Sequence, residues 1–271
     1  MEAMKQRLED REKKRGGVSR PNARIVSRYI LYPLLLNRRK FDVRSYVLVQ
    51  STPHGHLCFF RPGYCRLSIN EYAVSETDLS THLTNQALQV KNPNYEQVKD
   101  DTVWSMDKFN DYINENCENS NIQTDWVHTS FDTKCKQIAS HCLAATNRRL
   151  DRRVGFFDLI GIDYIIDESF QVYLLEMNTN PALLTNCSVL EQVVPETVKE
   201  MMDMTLEVQE HYQSTTTPIR LPLKSQNNFR CIYNATRTGG VTPWRISSAK
   251  PPVTQEVLQE YLKINKKIEE V

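Results

Sequence analysis

A chain of 271 residues with 40% hydrophobic and 25% charged residues has enough apolar material to bury a core, as one large domain or two small ones. Its formal net charge of +1 gives no electrostatic case for a nucleic-acid partner, and no stretch approaches the roughly 18 apolar residues a membrane helix needs. Seven cysteines without a CxxC pair read as free thiols, and the N-terminus lacks the apolar core of a signal peptide, so the expected compartment is the cytoplasm.

Residues 1–24 are charged, broken by Gly16-Gly17 and Pro21, and are expected to form a frayed or disordered tail. Short β-rich runs follow at Ile25–Ile30, Val43–Gln50 and His56–Phe60, the last two joined by the turn-forming Ser51-Thr52-Pro53-His54-Gly55. Gly63 opens a short segment that ends at Arg66. One helix is expected from Ser105, with Met106, Phe109 and Ile113 on one face. A second spans about Asp132–Leu150, with the apolar stripe Cys135, Ile138, Cys142 and Ala145; the polar loop Cys117–Asp125 separates the two. Gly155–Ile166 and Gln171–Met177 read as a hairpin. Ser188-Val189-Leu190-Glu191 matches a capping box, and Pro195 suits the first turn of a helix reaching about Tyr212. Beyond Gln213 the Ser/Thr/Pro content rises, and residues 213–271 read as a largely irregular appendage with at most a short final helix. No internal repeat is present. Strands, then helices, then strands again favour an α+β fold, an antiparallel sheet with flanking helices.

Two acids stand inside otherwise apolar strands, Asp163 and Glu176, where an unpaired charge is costly. With Glu168–Gln171 as a four-residue loop, Asp163 falls opposite Glu176, and Asn178 lies on the same face two residues on. Facing carboxylates repel unless a cation lies between them, and oxygen ligands of this kind suit Mg²⁺ carrying phosphate oxygens. The competing reading is a half-exposed hairpin with both acids in solvent. Lys40, Asp42 and Arg44 alternate along a strand start, a row able to clamp phosphate or carboxylate, or to form a solvated face. His82-Leu83-Thr84-Asn85 offers a hydroxyl and an amide to a ligand, or a helix start. The six histidines show no metal-ligand spacing.

Tyr29-Ile30 with Pro33-Leu34-Leu35-Leu36, Lys40-Phe41-Asp42-Val43-Arg44-Ser45-Tyr46, His82–Asn85, Phe157–Asp163 and Leu175-Glu176-Met177-Asn178 occur in the order and approximate spacing of the tubulin–tyrosine ligase-like family. Glu176–Cys187, the long helix after it and Leu221-Pro222-Leu223-Lys224-Ser225-Gln226 most resemble the polyglycylase branch. The resemblance implies a partial ATP-grasp domain over residues 25–212, with ATP and Mg²⁺ as cofactors. Carried over, Arg28, Tyr29 and Ile30 form the linker that reads adenine. Lys40 and Asp42 contact ribose or phosphate, and Thr84 and Asn85 lie near ribose and phosphates. Arg44 and Arg66 serve the reacting phosphoryl group, and Asp163, Glu176 and Asn178 hold the metal. The family's lysine and glycine-rich phosphate loop ahead of that linker have no counterpart in residues 1–24, so the chain is expected to be a fragment or truncated product.

The implied chemistry activates an acceptor carboxylate by phosphoryl transfer from ATP, after which the amine of free glycine displaces phosphate. The implied acceptor is tubulin or another acidic protein, met at the cytoskeleton, in a cilium or axoneme; Arg38, Arg39, Arg148, Arg149, Arg152 and Arg153 are candidate basic contacts. A catalytically silent microtubule-binding module, and a related ligase using glutamate or tyrosine, are the rival readings.

Overall fold

The computed structural model describes residues 27–117, 122–147, 149–151 and 153–235. Residues 27–31 belong to a separate N-terminal unit and carry neither helix nor strand, so the β-run expected over Ile25–Ile30 is absent where it is described. The charged 1–24 segment lies outside the described residues. The second unit, from Tyr32 onward, contains the fold described below.

β1 (Leu35–Leu36) turns into β2 (Arg39–Thr52) through Asn37 and Arg38, both at positive φ, 50° and 62°. That is the backbone a two-residue hairpin turn requires. β2 pairs with β3 (Gly55–Glu71) from Thr52↔Gly55 to Arg39↔Glu71, so the turn narrows to Pro53-His54. The segment expected over 63–66 lies inside this long strand. Gly63 is the extra residue of a bulge between Arg44↔Tyr64 and Ser45↔Pro62, and a Cβ there would sit 2.3 Å from the Arg44 carbonyl oxygen. Three four-residue helices, α1 (Leu79–His82), α2 (Gln86–Gln89) and α3 (Tyr95–Val98), lead to β4 (Val103–Ser105). α4 (Met106–Asn116), α5 (Asp132–Thr146), β5 (Phe157–Ile166), β6 (Val172–Asn178), α6 (Ser188–Ser214) and β7 (Arg230–Asn234) follow.

The sheet runs β4-β3-β2-β5-β6, with β1 joined to β2 and β7 to β3, and every pairing is antiparallel. Helices cover both faces, which is why β2 and most of β3 are buried almost continuously, their polar residues included. On one face Phe41, Val43 and Val47 of β2, with Ile162 and Tyr164 of β5, pack on Phe109 and Ile113 of α4 and Cys135 and Leu143 of α5. On the other face Tyr46, Leu48, Leu57, Phe59 and Leu159 meet Leu190, Val194, Met204 and Val208 of α6. Alternation along β2 therefore places Lys40, Asp42 and Arg44 on the α6 side, beyond the apolar contacts of that helix.

Three helix expectations need correction. α4 starts where expected, its N-cap Ser105 accepting from the Lys108 N–H, but α5 buries Cys135, Ala139 and Leu143 rather than the Ile138–Cys142–Ala145 stripe. A π turn at Val127–Phe131 runs into α5, and the inward face continues from Phe131 at four-residue steps. α6 lacks its capping box: Cys187 is the N-cap, and the Ser188 N–H and hydroxyl both donate to Asp100 Oδ1, at 2.9 and 3.0 Å. Pro195 sits inside α6, not in its first turn.

Where it is described, the segment after α6 is irregular over 215–229 and packs against the second unit. Leu223 and Phe229 are buried beside α6, and β7 extends the sheet along β3. Glu200 of α6 accepts at Oε1 from the consecutive N–H groups of Asn227, Asn228 and Phe229 (2.6, 2.7 and 2.9 Å), while its Oε2 pairs with the buried Arg61. Residues 236–271, including the expected final helix, lie outside the described residues. All seven cysteines are free thiols, in keeping with the sequence reading, and no helix among the described residues is long and apolar enough to cross a membrane.

Candidate functional site

Asp163 and Glu176 do face one another across β5 and β6, by a different count from the one expected. The loop is one residue longer: Ile166 pairs with Val172, and Asp167 Oδ1 accepts from the Ser169 and Gln171 N–H groups at 2.9 Å each. A bulge between Tyr164↔Leu174 and Asp163↔Glu176, with Leu175 as the additional residue, then restores the pairing. Asn178 lies opposite Gly161 and donates from Nδ2 to Glu176 Oε1 at 2.9 Å.

The two acids sit in unlike surroundings. Glu176 is exposed, whereas Asp163 is 3% exposed and held by two arginines. Arg44 binds it through Nε (2.5 Å) and Nη2 (3.0 Å), and Arg66 through Nη2 (2.8 Å). Arg66 also grips Asp42 through Nε and Nη2, at 2.7 and 2.9 Å, and the Thr84 hydroxyl donates to Asp42 Oδ2. These residues come from β2, β3, β5 and the α1–α2 connection, and register explains the meeting: Asp42↔Arg66 and Arg44↔Asp163 are cross-strand partners. The free hairpin face considered from sequence is thus replaced by a buried ionic row.

Buried Lys40, Arg44 and Arg66 share this surface with the buried carboxylates of Asp42 and Asp163, where charge is costly unless paired. Burial opposes ionisation of Asp163, but the Arg44 and Arg66 guanidinium groups outweigh it and hold the carboxyl below its ordinary range. Burial likewise opposes the charge on Arg66, and Asp42 and Asp163 more than reverse it. Lys40 goes the other way: burial lowers it to about 8, against the smaller pull of Asp42. Its ammonium lies 5.8 Å from the Tyr72 ring centroid.

Not every expected residue joins the row. Asn85 is exposed and spends its side chain as the N-cap of α2, accepting from the Ala87 N–H at 3.0 Å. Arg28, Tyr29 and Ile30 belong to the N-terminal unit. Among the basic candidates, Arg38 pairs with Glu71 at 3.0 Å, Arg39 donates to the Asp101 carbonyl, and Arg153 pairs with Asp151; Arg148 and Arg152 lie outside the described residues. Gly161 was missed from sequence: a Cβ there would lie 2.9 Å from Pro181 Cβ and 3.2 Å from Arg44 Nη1, so the chain after β6 passes over Arg44. Its signal was a glycine inside a strand, the mark of a close approach. Among the described residues no three His, Cys, Asp or Glu side chains cluster as a metal site; strand register brings Asp163, Glu176 and Asn178 to neighbouring positions of β5 and β6.

Residues 4–214 match the model of the tubulin-tyrosine ligase family. The chain belongs to that family. The architecture is accordingly ATP-grasp-like, an α+β arrangement of an antiparallel sheet with flanking helices, as the sequence implied. Similar proteins include Protein polyglycylase TTLL10 of Rattus norvegicus, 47% identical over 234 residues that make up 86% of this chain and 34% of the relative. Inactive polyglycylase TTLL10 of Homo sapiens is 46% identical over 79% of this chain and 32% of its own length. Tubulin glycylase 3A of Drosophila melanogaster is 31% identical over 68% of this chain and 18% of its own length. The chain spans about a third of the length of the two polyglycylase relatives.

Proposed function

We propose that the chain carries the phosphoryl-activating side of an ATP-dependent ligase that joins glycine to glutamate side chains, or to glycine chains, on tubulin or another acidic protein of the cytoskeleton. The observation that carries this reading is the buried pair Arg44 and Arg66 on Asp163, directly opposite Glu176. Such a surface is well matched to a polyphosphate with its divalent ion.

When bound, ATP with Mg²⁺ supplies the phosphoryl group that makes a carboxylate reactive toward an amine. Asp163, Glu176 and Asn178 are the oxygen donors that would hold the ion. Each arginine spends its Nε–Nη2 edge on aspartate, which leaves the Nη1 groups of Arg44 and Arg66 to meet phosphoryl oxygens as charge spreads over them. Lys40 adds a charge for ribose or phosphate. The names of the relatives support glycine as the amine and tubulin as an acceptor.

A catalytically silent binding module is the second reading, favoured by a relative named as an inactive polyglycylase at 46% identity. Incorporation of labelled glycine into tubulin by the full-length protein, with and without ATP and Mg²⁺, separates the two. Glu176→Gln should cut turnover by about 10²–10³-fold with an unchanged unfolding midpoint. Full turnover in that variant would remove Glu176 from the metal site. Mg-ATP binding without product in the wild type would establish the silent module.

A further inference from the structure

We propose that the Tyr64 hydroxyl donates a hydrogen bond to a substrate carboxyl oxygen held beside Arg44 and Arg66, and that Tyr46 beneath it is a positioning residue that turns the Tyr64 proton outward. The inference deepens the ligase reading and rests on it for the chemistry of the row.

Alternation along β2 carries the row one step beyond Arg44, so that Lys40, Asp42, Arg44 and Tyr46 share the α6 side of the sheet. On β3 the same face holds Arg66 and Tyr64, and Tyr64 is the cross-strand partner of Arg44. Both phenol rings belong to the apolar cluster under α6.

Tyr46 is fully buried, and its hydroxyl has no hydrogen-bond partner of ordinary geometry among the described residues. The groups that act on this phenol are Tyr64, Arg44 and Arg66. Guanidinium groups are donors only, so of these three only the Tyr64 oxygen can take the Tyr46 proton. A bond between two phenols uses one of their two protons. With the Tyr46 proton directed at the Tyr64 oxygen, the Tyr64 proton is the one left over. Tyr64 is about as open as the arginines beside it, 5% exposed against 5% for Arg44 and 8% for Arg66. Burial and Tyr64 push the Tyr46 phenol up, against the weaker pull of Arg44 and Arg66, so Tyr46 keeps its proton at neutral pH.

The ligand chemistry follows from the neighbours. An uncharged donor beside two guanidinium groups suits a carboxyl oxygen, whose single charge the arginines already answer. Lys40 stands at the other end of the row, about 20 Å from Tyr46 along β2. Both substrates of an amide-forming ligase carry a carboxyl group, one on the acceptor side chain and one on the amino acid.

The test begins with folding of the full chain, where no turnover is needed. Tyr64→Phe strands the Tyr46 hydroxyl and should lower the urea midpoint. Adding Tyr46→Phe should restore it, since removing both polar partners of a buried pair is close to neutral. Losses that simply add overturn the positioning role of Tyr46. Substrate contact is read from the Tyr64 Cζ signal of the full-length protein labelled with ¹³C-tyrosine, assigned by its loss in Tyr64→Phe. A polyglutamate peptide or glycine, added with Mg²⁺ and a non-hydrolysable ATP analogue, should shift that signal to a saturating value. The ligand that does so names the source of the carboxyl group, and no shift with either overturns the contact. In the same protein Tyr64→Phe should lower turnover by about tenfold and raise the KM for that ligand, with a Mg-ATP dissociation constant within about twofold. Tyr46→Phe should add nothing further in the Tyr64→Phe background. A matching loss of Mg-ATP affinity assigns the hydroxyl to nucleotide and overturns the proposal. Absence of turnover in the wild type counts against the ligase reading alone, because the signal shift and the unfolding midpoints still decide the two phenols.

Discussion

Lys40 differs from its neighbours in losing its charge near physiological pH. Burial brings its ammonium down from 10.5 to about 8, with Asp42 opposing. Below pH 8 the folded protein keeps this charge in the row, and above it the charge is lost. Mg-ATP affinity measured by calorimetry is therefore expected to fall as pH rises from 7 to 9. Lys40→Met should bind more weakly and show no such slope. Folding responds with the opposite sign. The unfolded lysine holds its proton up to about 10.5, so the penalty for burying the charged form is complete below pH 8 and is relieved between the two values. Stability thus gains from Lys40 as pH rises above 8, where ligand affinity is still declining. Asp163 follows the carboxylate rule: the stability it gains from Arg44 and Arg66 is present at neutral pH and is lost as pH falls through its lowered folded value.

At the scale of elements, the features that aim side chains into the row are single-residue irregularities. Gly63 allows β3 to bulge against β2 next to Arg44, and no side chain fits between that bulge and the Arg44 carbonyl. Gly63→Ala should cost about 1–3 kcal/mol in urea unfolding, with a loss of turnover larger than the loss of stability explains, because the strand carrying Arg44 must shift. These irregularities also mark how far the sequence could be read. The acids at 163 and 176 stood out because the apolar residues on either side of them leave a charge conspicuous, and their opposition was legible from a loop estimate alone. The loop itself was misjudged by one residue, and the inward face of α5 by a fraction of a turn. Periodicity measures spacing within an element and registers neither a bulge nor a π turn that resets the phase between elements.

For the whole molecule, the least legible part was the region after Gln213. Its Ser/Thr/Pro content argued for an irregular tail, and residues 215–229 indeed lack helix or strand. Two α6 carboxylates hold them: Glu207 accepts from the Lys224 and Ser225 N–H groups and the Ser225 hydroxyl, and Glu200 gathers three backbone N–H groups and Arg61, tertiary contacts with no local trace in sequence. Glu200→Ala should cost about 3–5 kcal/mol, since it leaves Arg61 buried with only the exposed Glu196, and amide exchange at 227–229 should rise ahead of global unfolding. By contrast the opposition of Asp163 and Glu176 was legible from spacing, whereas the pairing of Arg44 with Asp163 and of Arg66 with Asp42 was not, because it depends on the register between distant strands. The bulge at Leu175 gives the acidic pair unequal mountings. Asp163 is anchored mid-sheet by two guanidinium groups, while Glu176 and Asn178 ride on an outer strand beyond a kink. Asp163 is therefore the fixed member of the pair, and the spacing between the two acids is set by where the edge strand β6 resumes its register after the bulge.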